Sequence, residues 1–143
     1  MRMTTPRILQ GKAYLDLVAK KGALHEFVHV LHKNVSNQAD KTGWLYEGVA
    51  IYLSKCCHEF NPKDFRYLRN KKRLSFKKIE ADPMFKKKYV LGPYIVEFIE
   101  QKYGWNKVLE LMKNNGNIKS TFGVATSGFE PQFYDYLEKK YID

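Results

Sequence analysis

From Tyr14 onward the apolar residues recur at helical spacing, and strand-like alternation is poor, so the pattern predicts a mainly α protein. The first strong helix is expected from about residue 22 or earlier to residue 32. There Leu24, Phe27, Val28 and Leu31 form an apolar stripe of the kind that faces a core. Residues 34–43 read as a polar loop. A second helix over about 44–58 carries Leu45, Val49, Ile51, Tyr52 and Leu53 and is apolar enough to be central. Asn61-Pro62 then opens a region read as a short helix at about 63–70 followed by irregular chain to Lys88. A further helix starts near Gly92-Pro93, where proline suits a first turn, and runs to Tyr103, stopped by Gly104. Two amphipathic helices, at 105–113 and 131–141, close the chain, with a turn at 114–116.

Composition narrows the class. At 143 residues, with 44% hydrophobic residues and no repeat or linker, the chain is expected to form one domain over 1–143. No stretch approaches the roughly 18 apolar residues of a membrane span, and MRMTTPRILQ lacks the apolar run of a secretory signal. A soluble, cytoplasmic protein with no membrane partner is therefore expected. Cys56 and Cys57 are adjacent, cannot join distant segments, and read as two ordinary thiols. The net charge of +10 is concentrated between residues 62 and 89, where eleven bases face only Asp64, Glu80 and Asp82. A solvated basic face is the favoured reading, and a surface that steers an acidic partner is the other.

The chemistry lies on the first helix. His25-Glu26-Phe27-Val28-His29 is H-E-x-x-H, and residues four apart differ by about 40° around a helix and about 6 Å along it, so both imidazoles can meet one ion. Glu26, next to the first ligand, can reach a water there instead of the metal. Two histidines make a poor zinc site, because catalytic zinc takes three protein ligands and keeps a position open for water. Glu47, on the next helix with 17 residues between it and His29, supplies the third once that helix folds back. It also stands among Trp44, Leu45, Val49 and Ala50, where an unpaired carboxylate would be costly. His25, His29 and Glu47 are thus the expected zinc ligands. His32 lies on the same face one turn further and reads as a neighbour of the site, and His58 as a surface residue.

With H-E-x-x-H followed by Trp44-Leu45-Tyr46-Glu47-Gly48-Val49-Ala50, a W-L-x-E-G-x-A element, the chain resembles the gluzincin metallopeptidases, in particular their bacterial peptidases. Tyr89 to Val96 looks like the Y-x-x-G-x-x-x-V stretch of the family's aminopeptidase branch. The resemblance implies a zincin-like helical catalytic domain, here with little or no N-terminal sheet, since only about 20 residues precede the first strong helix. It implies hydrolysis of a peptide or protein substrate, with Glu26 handling the water's proton and Tyr89 stabilising the oxyanion, Tyr94 being the reserve candidate. The glycine-rich segment with which exopeptidases bind a free amino terminus is absent, so no aminopeptidase specificity follows. Two other readings stay open. One is a zinc-binding domain without turnover. The other, less favoured, is a nucleic-acid module built on region 62–89, with Phe65, Tyr67, Phe76 and Phe85 as stacking residues.

Overall fold

The computed structural model describes residues 7–56, 72–83 and 86–142, the side chains of 7–15 and of Lys86 excepted. The fold is mainly α, with no strand among the described residues. The helices are α1 (Arg7–Val35), α2 (Gly43–Ser54), α3 (Phe76–Glu80), α4 (Lys86–Tyr103), α5 (Trp105–Lys113), α6 (Ile118–Phe122) and α7 (Thr126–Tyr141). A 3₁₀ turn, Ala39–Lys41, joins the first two. No helix among the described residues is long and apolar enough to cross a membrane.

Several boundaries move from their expected places. Helix α1 begins at Arg7, some fifteen residues early, so the chain before the histidines continues the same helix. Helix α2 ends at Ser54, because Lys55 adopts a left-handed conformation that turns the chain out of the helix. The expected helix at 63–70 lies outside the described residues, whereas the stretch expected to be irregular contains α3. Pro93 and Pro131 both sit inside their helices, α4 and α7. A proline in a helix interior costs the helix one hydrogen bond and about 3 kcal/mol. Burial of Leu91, Tyr94, Ile95, Phe98 and Ile99, each large side chain contributing roughly 1.5–3 kcal/mol, outweighs that in α4.

Helix α4 is the hub and packs against α2, α3, α5 and α7. Its fully buried residues meet Leu45, Val49 and Ala50 of α2, Val108 and Leu111 of α5, and Phe129, Phe133 and Leu137 of α7. The α2–α4 crossing is set by two glycines. A Cβ on Gly48 would stand 2.6 Å from the carbonyl of Gly92, and one on Gly92 would stand 2.5 Å from the carbonyl oxygen of Trp44. The two backbones therefore touch, one residue past Glu47 and three past Tyr89.

The start of α2 is held from outside. Thr42 makes no side-chain cap; instead the Glu80 carboxylate at the end of α3 accepts the Gly43 and Trp44 N–H groups at 2.9 and 3.0 Å. Lys88 of α4 pairs with Glu80 at 3.2 Å. The preceding loop is tied to the end of α5: Ser36 donates to the Asn115 side chain and Thr42 donates to the Asn115 carbonyl at 2.9 Å. Asn115 takes the left-handed position of a Schellman cap, in which Gly116 N–H reaches the Leu111 carbonyl at 2.9 Å. These ties fix where α2 begins, and so the height at which Glu47 leaves it.

Helix α1 presents the opposite side from the one its apolar stripe suggests. Of the four stripe residues only Val28 is buried, at 4% exposure, while Phe27 is 55% exposed and Leu24 and Leu31 are nearly as open. The covered side is polar, made of His25, His29 and His32.

Candidate metal centre

Helix α2 runs back along α1, so that Tyr46 meets His32 and His29, and Glu47 meets His29 and His25. The Nε2 atoms of His25 and His29 are 3.0 Å apart, and Glu47 Oε2 lies 3.2 Å from the first and 3.3 Å from the second. Two imidazole nitrogens and a carboxylate oxygen thus converge on one point, a group that can hold a metal ion. At most one proton can lie between two nitrogens at that distance, and Glu47 Oε2 makes no conventional hydrogen bond despite its ion-pair distances. Both histidine Nδ1 atoms are buried with no hydrogen-bond partner among the described residues. Buried polar atoms are ordinarily paired; an ion at the focus of the two Nε2 atoms would give the buried Glu47 Oε2 a partner, whereas the Nδ1 atoms, on the other side of each ring, lie outside that focus.

Burial holds His29 below the usual imidazole range, and the neighbouring His25 adds to that; Glu47 and Glu26 pull the other way. A lowered value keeps the ring neutral, the form in which an imidazole ligates.

Glu26, next to His25 in the sequence, is exposed. Tyr89, in the first turn of α4, shares a cavity of about 230 Å³ with Asp40, Gly43, Tyr46, Glu47 and Lys88. Its phenol is raised above its ordinary value by partial burial and then by the charges of Glu47 and Glu26. The reserve candidate is not there: Tyr94, five residues on, is fully buried and packs edge-on against Tyr141 at 5.2 Å. Pro93 lies four residues after Tyr89 and has no N–H to offer its carbonyl, so the turn carrying the phenol has one helical bond fewer.

His32 is more deeply buried than a simple neighbour of the site, at 1% exposure, with neither ring nitrogen hydrogen-bonded among the described residues. It is outside the ligand triangle. Burial, and then His29, push its pKa down to about 4. An imidazole depressed in the fold takes up its proton on unfolding, so its contribution is complete above about pH 6.5 and is lost as the pH falls towards 4. The metal-free chain is expected to lose up to about 3 kcal/mol of stability over that window. Urea midpoints at pH 7 and pH 4.5 check this, and His32→Leu is expected to flatten the difference.

The basic region is only partly exposed charge. Lys72, Lys77, Lys78 and Lys87 face solvent, but Arg73 is paired with Asp135 and Glu138 at 2.7 Å each, and Lys88 with Glu80. Phe76, one of the four residues that the less favoured nucleic-acid reading offers for stacking, is a core residue packed against Trp44, Phe129 and Phe133. Phe65, Tyr67, Phe85 and His58 lie outside the described residues. Cys56 is disulfide-bonded, against the expectation of an ordinary thiol.

Sequence reasoning missed Tyr46, Asp40, and the Glu80–Lys88 pair that frames the site. The two crossing glycines did carry a signal, since glycine inside an apolar helix marks close backbone approach. Comparison with protein-family models, with curated proteins and with solved structures gives no match.

Proposed function

We propose that this chain is a zinc-dependent peptidase domain of gluzincin type, with His25, His29 and Glu47 as ligands, Glu26 as general base and Tyr89 as oxyanion donor. The observation that carries the reading is the convergence of three ligand atoms within 3.0–3.3 Å of one another. Tetrahedral zinc with bonds of about 2.0–2.2 Å sets its ligand atoms about 3.3–3.6 Å apart, so the group needs to open by only a few tenths of an ångström. Two histidines and a glutamate leave a fourth position for water or substrate, as catalytic sites require.

Bound zinc supplies Lewis-acid polarisation of the scissile carbonyl and lowers the pKa of its water towards 7. The rest falls to the chain. Glu26 takes a proton as the water oxygen bonds to the carbonyl carbon, and returns it to the leaving nitrogen as the C–N bond breaks. Tyr89 donates a hydrogen bond to the oxygen that gains charge. Its raised pKa, from burial and two nearby carboxylates, keeps the phenol protonated for that role.

The test is zinc content by mass spectrometry together with hydrolysis of a mixed peptide library. About one zinc per chain is expected in the wild type and none in Glu47→Ala or His25→Ala, since two ligands make a poor site. Bound zinc without cleavage of any peptide would leave a non-catalytic zinc domain. Absence of zinc even after reconstitution would remove the reading.

A further inference from the structure

We propose that Tyr46 is the positioning residue that holds the His29 ring in its ligating orientation, by stacking; this rests on the metal-centre reading above. A ligating imidazole is normally oriented by a hydrogen bond from its second nitrogen to a carboxylate, carbonyl or water. Here the Nδ1 atoms of both His25 and His29 are buried without such a partner among the described residues. Rotation of these rings is therefore braced by something other than a hydrogen bond.

For His29 the brace is the Tyr46 ring, whose centroid lies 3.9 Å away at an interplanar angle of 19°, a face-to-face stack. Tyr46 precedes Glu47 on α2, so a single turn delivers both the third ligand and the plate against which the second ligand rests. The plate is itself confined. His32 meets it at 5.4 Å and 44°, and the Lys33 ammonium stands 5.9 Å from its centroid. His25 is reached at one remove, since its ring meets His29 edge-on at 4.6 Å and 89°. Ligation withdraws electron density from an imidazole, and a phenol face is electron-rich, so the stack strengthens when the ion binds. An aliphatic side chain of similar volume fills the space but offers neither the flat face nor this response.

The experiment measures zinc affinity by competition with a chromophoric chelator on the full chain, as wild type, Tyr46→Phe, Tyr46→Leu and Tyr46→Met, with metal-free melting curves identifying the aliphatic variant that keeps the wild-type fold. Tyr46→Phe retains the ring and is expected to bind within about threefold of wild type, whereas the aliphatic variant weakens binding by about 10- to 100-fold, the range for losing an outer-shell partner. Wild-type affinity in the folded aliphatic variant overturns the stacking role and leaves the metal centre standing. Tyr46→Phe as weak as the aliphatic variant also overturns it, by assigning the effect to the hydroxyl. No zinc binding by the wild type overturns the metal centre and this inference together.

Discussion

Glu26→Gln is expected to lower peptide hydrolysis by roughly 10²–10⁴-fold while about one zinc per chain remains bound. Gln keeps the length, the shape and a hydrogen-bonding head, and loses only the ability to take a proton at neutral pH. Glu26 lies outside the ligand triangle of His25, His29 and Glu47, so its replacement leaves all three ligand atoms in place. Its charge nevertheless raises the pKa of both His29 and Tyr89, so it acts on groups of both helices at the site. Parallel measurement of turnover and zinc content separates the two roles. Loss of zinc along with activity would make Glu26 a structural or ligating residue, and undiminished turnover would remove it from the mechanism.

The second large effect is on the fold. Gly92→Ala would put a methyl group 2.5 Å from the Trp44 carbonyl oxygen and 3.1 Å from Gly48 Cα, and Gly48→Ala would put one 2.6 Å from the Gly92 carbonyl. Every one of these is a backbone atom, so no side chain can swing away and the helices must separate. Overpacking of this kind costs about 1–3 kcal/mol or more. The better intrinsic helix preference of alanine returns only about 1 kcal/mol. Gly22 of α1 provides the control, because a Cβ there meets nothing within 4 Å. Gly22→Ala is therefore expected to stabilise by about 0.5–1 kcal/mol, whereas Gly48→Ala and Gly92→Ala destabilise, read as thermal midpoints moving in opposite directions. Glu47 and Tyr89 flank this crossing, so both destabilising variants are also expected to weaken zinc binding. A melting curve unchanged by Gly92→Ala would mean that the helices do not cross in backbone contact.

The residues of the site were legible because their relation is local. H-E-x-x-H needs only the helical repeat to bring two imidazoles to one side, and Glu47 needs only a loop that lets the next helix return. Helix α5 was legible to the residue for similar reasons: its amphipathic period is strong, and Gly104, with φ of 87°, stops the helix before it. Tyr89 rested on a resemblance, and the fold places it on the cavity beside Glu47 while Tyr94 goes into the core.

Local pattern could not say which side of a helix is covered. The stripe through Leu24, Phe27 and Leu31 correctly marked residues that share a face of α1, yet α2 packs on the histidine face instead, because periodicity records neighbours on a helix and not the element that comes to meet it. The prolines of α4 and α7 show the same limit, since their penalty is local and the burial that outweighs it is contributed by other helices. Phe76, a possible stacking residue in the less favoured nucleic-acid reading, is a core residue only through Trp44, Phe129 and Phe133, the last two more than fifty positions away. The sequence by itself determined a mainly helical chain and the identity of three converging residues that could hold a metal ion, because helical geometry makes those relations short-range. Tertiary structure decided the height of Glu47, the orientation of His29 against Tyr46 and the place of Tyr89, because each depends on Glu80, Asn115 or Gly92, contacts between segments that share no local pattern.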